Sequence, residues 1–202
     1  MKKPSLQIIK DRMILCGMTV FEKPFDMTMG AIRTKDNESE TFNDWLFMFS
    51  HDEEGNLFGV VKEGTTDAGL YYRLNPINVK GTAIIMHGVQ HRSAYEYQYP
   101  LEDRKRGHKG QEAFRQVKPM KYWRDANRDK YLDFGGDIKE EIAATNGHDM
   151  GTRGDKVGKW SAGCWGSVTS VMDHFYALAR LQIAAGHGNS FSFALLHEND
   201  FE

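Results

Sequence analysis

Cysteine is nearly absent from this chain. Its 202 residues hold two, Cys16 and Cys164. That excludes a scaffold held by a dense disulfide framework. A single bridge between the two is open on arithmetic, but their settings argue against it. Cys16 lies in Met13-Ile14-Leu15-Cys16-Gly17-Met18 and reads as a small buried hydrophobe. Cys164 lies among serine, alanine and glycine. Two lone thiols fit synthesis in a reducing compartment.

An excess of one charge is also missing. Lysine plus arginine number 26 against 28 acidic residues, a net charge of −2. No general basic field for nucleic acid follows. The local cluster Arg104-Lys105-Arg106 follows Glu102 and Asp103 and reads as a solvated loop. No apolar run is long enough to span a membrane, so no transmembrane segment is expected. Lys2 and Lys3 resemble the start of a signal peptide. Lys10, Asp11 and Arg12 break the apolar stretch behind them, and no small-residue cleavage site follows. The expectation is a protein made in the cytoplasm with no export signal of its own. Internal repeats and low-complexity segments are absent too.

The remaining composition is that of an ordinary folded protein, 40% hydrophobic and 27% charged. One domain over 1–202 is the expected organisation, with 1–30 as an N-terminal helix and strand extension. Leu6 to Leu15 suits a short helix closed by Gly17. Met18 to Phe25 reads as extended. Phe42 to Ser50 and Leu57 to Lys62, separated by turn residues, form a hairpin. Thr82 to Met86 reads as a buried strand. Val117 to Trp123 reads as another, placed at an edge by Pro119. Val168, Val171, Met172, Phe175, Leu178, Ala179, Ile183 and Ala184 trace one face of a helix ended by Gly186 and Gly188. Ser190 to Leu196 closes the fold as a strand. The class is α+β, mainly β, with one substantial helix after Cys164.

The most informative stretch is Gly158-Lys159-Trp160-Ser161-Ala162-Gly163-Cys164-Trp165-Gly166. Small residues let the backbone approach closely and leave N–H groups available to an oxyanion. A thiol becomes a strong nucleophile as thiolate, and a nearby imidazole promotes that change. His148, in Asn146-Gly147-His148-Asp149, is the candidate base. A buried structural thiol and an ordinary loop histidine are the bland alternatives. Trp160, Trp165 and His108 are candidates for lining the substrate cleft.

A second constellation runs from Asp125 to Asp133. Oxygen side chains recur at Asp125, Asn127, Asp129 and Asp133, and Tyr131 offers a carbonyl. This is the first part of a calcium-loop pattern. Lys130 stands where the turn glycine belongs, and Gly136 where a closing glutamate would stand. A structural calcium and a polar turn held by Asx hydrogen bonds rank equally. His87 and His91 have the spacing of zinc ligands on a helix, but the glutamate of the zinc-protease motif is missing and the neighbouring residues read as a strand. No cofactor for catalysis is implied.

The Cys164 block resembles the L,D-transpeptidase catalytic domain family. Its signature is a histidine, a gap, then Ser-His-Gly-Cys with an arginine two residues later. His148, Ser161, Gly163 and Cys164 match. The chain is more similar to a divergent Ser-Ala-Gly-Cys branch seen in phage and bacterial proteins. Arg124, Asp125, Asn127 and Asp129, then Thr65, Thr66 and Asp67, then Gly81 to Ile84, match further elements of that branch. The resemblance implies a β-sandwich with the cysteine at the mouth of a cleft. It implies that Cys164 attacks a carbonyl in peptidoglycan stem peptides, with His148 moving the proton and backbone N–H groups near Gly163 and Cys164 holding the oxyanion. Ala162 stands where the family has its second histidine and Gly166 where it has arginine. These departures, with the missing export signal, favour a phage-type wall hydrolase acting after release or from a virion. A non-catalytic wall-binding or virion module that kept the fold is the competing expectation.

Overall fold

The computed structural model describes residues 1–99, 111–152 and 154–202. Along the chain run α1 (Leu6–Leu15), β1 (Thr28–Arg33), β2 (Asp44–His51), β3 (Leu57–Gly64), α2 (Leu70–Leu74), β4 (Thr82–Ile85) and β5 (Val89–Gln98). There follow β6 (Ala113–Gln116), β7 (Met120–Asp125), β8 (Ile138–Glu141), β9 (Gly147–Asp149), β10 (Trp165–Ser167), α3 (Thr169–Ala184) and β11 (Phe191–His197), with a closing 3-10 turn at Glu198–Phe201. The architecture is α+β and mainly β.

Eight strands form one sheet in the order β10-β9-β6-β5-β11-β1-β2-β3. β1 is its inner strand, parallel to β11 and antiparallel to β2, and every one of its residues is buried. Gly30 makes this packing possible. A Cβ there would lie 2.1 Å from the Ala194 carbonyl oxygen and 2.6 Å from the Phe47 ring, so only hydrogen fits. Beyond β3 the chain returns to the opposite edge. Thr65 N donates to Gly166 O at 2.8 Å and Gly166 N to Thr65 O at 2.9 Å. These two bonds tie the end of β3 to β10, so the two outer strands meet at a seam.

A buried network anchors that seam. Asp44 accepts from Thr66 N and from the Thr66 hydroxyl, and the Arg33 guanidinium reaches Thr66, the Ile85 carbonyl and Asp67. Burial pushes the Asp67 carboxyl up, with Asp44 adding to that and Arg33 opposing it. Each member has a hydrogen-bond partner, which is what makes so much buried charge tolerable.

The stripe on α3 behaves as its spacing demands. Met172, Phe175, Tyr176 and Ala179 are buried against Phe114, Trp165, Phe191 and Phe193. Each fully buried side chain of this size contributes roughly 1.5–3 kcal/mol. At the other end Ser5 caps α1 by accepting from Ile8 N at 3.3 Å.

Three expectations need correction. Cys16 is exposed at the C-terminal end of α1, not buried, because the stripe of that helix turns Ile9 and Met13 inward instead. β7 is the central strand of a second sheet, ordered β4-β7-β8, not an edge. Pro119 precedes the strand, so every residue of β7 keeps its N–H for the ladder. Met18 to Phe25 forms no strand and makes one isolated bridge, Pro24 to His51. Both cysteines are free.

Candidate active site

The loop leading into β10 is shaped by Ser161. Its hydroxyl donates to the Cys164 carbonyl at 2.8 Å and accepts the Gly163 N–H at 3.1 Å, and the side chain is fully buried. Ser161 O in turn accepts from Gly69 N at 2.9 Å. Gly163 has φ of +129°, and a Cβ on it would lie 2.9 Å from the Ala83 carbonyl oxygen of β4. Glycine is therefore required where the loop crosses the second sheet.

This places Cys164 in the wall of a cleft of about 400 Å³, with Ala162 and Gly163 beside it. Tyr72, Thr82, Ala83, Arg124, Glu141 and the segment Ala143 to Thr145 complete most of the lining. Ile77 and Ile142 stand exposed in the same lining. The size suits a small ligand or a short peptide segment.

The thiol is partly accessible from this cleft yet crowded by protein atoms behind. That burial pushes its pKa up to about 11, against a small opposing effect of the Asn146 N–H. It stays protonated near neutral pH and donates to Ala144 O at 3.6 Å. Ala144 has φ of +57°, a conformation that costs a non-glycine residue roughly 1–2 kcal/mol. Such strain gathers where a backbone group must be aimed. Among the described residues the Cys164 N–H has no acceptor, whereas the Gly163 N–H is taken by Ser161. Of the two amides expected to hold an oxyanion, Cys164 retains its donor.

His148 is buried on β9, beside the loop. Its Nδ1 donates to the Asp149 carbonyl at 2.6 Å, which makes Nε2 the acceptor nitrogen. Burial pushes the ring's pKa down, so it is neutral and able to take a proton. The register pairs His148 with Gly166, and Trp165 with Gly147. Cys164 is thus two residues off His148 along the strands, about 7 Å. Among the described residues no hydrogen bond joins the His148 ring to the Cys164 sulfur. Cys164 directly precedes β10, the strand that pairs with the one carrying His148.

Trp165 is placed elsewhere than expected. It is fully buried in the core, stacked on Phe114 and Phe193, because successive side chains of a strand alternate faces. It supports the strand from behind and does not line the cleft. Trp160 is half exposed and packs near Gly151, outside the cleft lining. His108 lies outside the described residues. Gly166, where the resembled family carries arginine, is held against β9. A Cβ there would sit 2.0 Å from the His148 carbonyl oxygen, so no side chain fits.

Some of the oxygens of the Asp125 loop face Arg73. This fully buried guanidinium pairs with Asp125 and donates to the Tyr131 carbonyl, and its Nη2 lies 3.9 Å from Asp129. Asp133 N donates to Asp125 at 2.8 Å, and Asn127 Nδ2 reaches Asp133 at 2.6 Å and Asp129 at 3.1 Å. Arg73 thus brings a positive charge to the loop that the sequence offered for calcium. His91 lies on β5 and His87 in the bend before it, neither on a helix. The His87 ring packs on Trp123, Phe134 and His197. Among the described residues no group of three or more His, Cys, Asp or Glu is placed to hold a metal. No described helix is long and apolar enough to cross a membrane.

Sequence reading missed Arg124 and Glu141 as members of the cleft. Arg124 carries Glu141 on its Nε and Nη2 at 2.9 and 2.8 Å, and its Nη1 donates to Gly81 O at 3.1 Å. It missed Tyr122 and Tyr95 as well. Their hydroxyls reach the Thr145 hydroxyl at 2.6 Å and the Thr145 carbonyl at 2.7 Å, fixing the wall beside the cysteine loop. The pairing of β4, β7 and β8 brings Arg124, Glu141 and Tyr122 together, and no local spacing signals it.

Comparison with family models, with curated proteins and with solved structures finds no match to this chain.

Proposed function

We propose that this chain is a cysteine-dependent enzyme acting on the stem peptides of peptidoglycan, through an acyl-enzyme on Cys164, with hydrolysis favoured over L,D-transpeptidation. The observation that carries the reading is the placement of Cys164. It lines a cleft of about 400 Å³ from a loop held by Ser161, with its own N–H unengaged among the described residues. The match of His148, Ser161, Gly163 and Cys164 to the L,D-transpeptidase signature adds the substrate class and the related fold.

In this mechanism a peptide carbonyl enters the cleft beside the thiol. The sulfur attacks the carbonyl carbon as its proton passes to His148 Nε2. The oxyanion takes the Cys164 N–H, the leaving amine departs with the proton, and a thioester remains. Water or a second amine then resolves it. The raised thiol pKa and the offset between the two residues require the pair to close when substrate arrives, as catalytic hydrogen bonds often do. The protein would act on the wall after release from the cell or as part of a virion.

A second reading draws on the same thiol. It is protonated and hydrogen-bonded to Ala144, not to His148. A non-catalytic wall-binding or virion module would show this too. Digestion of purified peptidoglycan by the wild type and by Cys164→Ala separates the two. New peptides from the wild type alone support the enzyme, and their masses tell hydrolysis from transfer. No peptides from either, with both proteins sedimenting with the wall, supports the module.

A further inference from the structure

We propose that a second pocket, set between the start of β5 and the turn into β7, binds a phosphate group, with Arg92, Lys118 and Lys121 on its rim and His91 in its floor. The pocket holds about 380 Å³ and shares no lining residue with the cleft at Cys164. Binding there is independent of the chemistry at Cys164.

The backbone brings the cations together. β5 is antiparallel to β11, with His91 opposite Phe193 and Tyr95 opposite Phe191. Four steps along β5 thus match two along β11, and the excess is taken up in a bulge around Ser93, whose φ is +51°. Such bulges re-aim side chains. Val117 N donates to Ala94 O at 2.8 Å, which docks the turn carrying Lys118 against the bulge. Lys121 follows on β7. Arg92, Lys118 and Lys121 are exposed, and among the described residues none of them makes a salt bridge. The Arg92 guanidinium lies over the Phe21 ring, 5.2 Å from its centroid, a contact that takes up no N–H. Glu140, opposite Lys121 on β8, is the one acid in the lining among the described residues. Three cations against one acid leave a charge of +2, which matches the dianion of a phosphomonoester.

The floor supplies an unused donor. Met120 and His91 are buried there, His91 being 6% exposed. The Lys121 N–H donates to its Nδ1 at 3.5 Å, so the neutral ring carries its proton on Nε2. Burial lowers the ring's pKa to about 4, with the Met86 backbone opposing that and Lys121 adding to it. Nε2 has no hydrogen-bond partner among the described residues. A buried donor without an acceptor is costly, and a phosphate oxygen in the pocket supplies one. A tetrahedral group presents acceptors in several directions, toward the floor donor and the rim cations together, where a planar carboxylate meets fewer of them. A volume of this size also admits the organic part of a small phosphate ester.

The test is two-dimensional NMR of the full chain at about pH 7.5, where a phosphomonoester is a dianion. The His91 ring and the Lys121 amide are read while inorganic phosphate or glycerol 3-phosphate is titrated in. Sodium chloride and sodium acetate at matched ionic strength are the controls. Phosphate should give saturable shifts at both reporters, and the controls should not. The double variant Lys118→Gln, Lys121→Gln should weaken binding about tenfold with an unchanged denaturation midpoint, since both side chains are exposed. If the double variant fails to fold, Arg92→Gln replaces it with the same direction of loss. Tighter binding of glycerol 3-phosphate assigns the site to phosphate esters, and equal binding assigns it to free phosphate. Shifts matched by chloride or acetate, no saturation with either phosphate, or full affinity in the variant would each overturn the proposal.

Discussion

Ser161 donates its hydroxyl to the carbonyl of Cys164 at 2.8 Å, three residues ahead in the chain, and both lie in one tight loop. The same oxygen accepts the Gly163 N–H. A serine in a cysteine motif invites a chemical role, yet here it holds the backbone that aims the thiol. Ser161→Ala leaves an N–H and a carbonyl without their partner at a buried position. The expected cost is about 1–3 kcal/mol, read as a lower denaturation midpoint. Activity should fall further than stability explains, because the loop also sets the position of the Cys164 N–H. An unchanged midpoint and unchanged turnover would contradict this role.

The thiol itself has a pH signature. With its pKa pushed up to about 11, the thiolate fraction rises about tenfold for each pH unit from 7 to 10. Alkylation of Cys164 by iodoacetamide without substrate should follow that slope, with no plateau near neutrality. A plateau at pH 7 would show a thiolate stabilised in the resting site, and the need for closure on substrate would be lost.

Gly166 offers a steric prediction. A methyl group there would meet the His148 carbonyl at 2.0 Å, where backbone cannot yield cheaply. Gly166→Ala should destabilise the fold by about 3 kcal/mol and disturb the strand pair that carries His148. Gly17→Ala is the contrast. Its φ is +70° and nothing lies within 4 Å of the added carbon, so it should cost only about 1 kcal/mol. Equal losses from both would refute the close approach of β9 and β10.

Acid should weaken the fold through its buried histidines. Burial depresses His91 and His87 to about 4, with Arg33 and His197 also lowering His87. Between about pH 6.5 and 4 the unfolded chain binds protons that the folded chain refuses, so stability falls as pH drops through that window and levels off below it. His91 contributes at most about 3 kcal/mol to this loss, and the less covered His87 contributes less. Denaturant midpoints at pH 7 and pH 4.5, compared between wild type and His91→Phe, check it. The variant should lose less on acidification.

The local parts of this structure were legible in sequence. The helix Leu6–Leu15, the hairpin of β2 and β3 and the long helix after Cys164 all carry a periodicity within their own residues. β9 and β10 have three residues each, too few to show a period, yet β9 carries His148 and β10 begins directly after Cys164. Period two alone would have turned Trp165 away from the face of Cys164. The charge at the Asp125 loop was not legible, because Arg73 lies 52 residues away and approaches through tertiary packing. Arg124 and Glu141 were hidden for the same reason, 17 residues apart and paired across β7 and β8.

The central claim is that Cys164 carries an acyl group during turnover. The measurement is mass spectrometry of the wild-type protein quenched in acid during incubation with soluble wall peptides, with tryptic mapping of the segment from Trp160 to Arg180. The account predicts a mass increase on Cys164 equal to an acyl peptide fragment, absent from Cys164→Ala and reversed by time or by an added amine. Release of wall peptides with no adduct on Cys164, and equal release by Cys164→Ala, would contradict it.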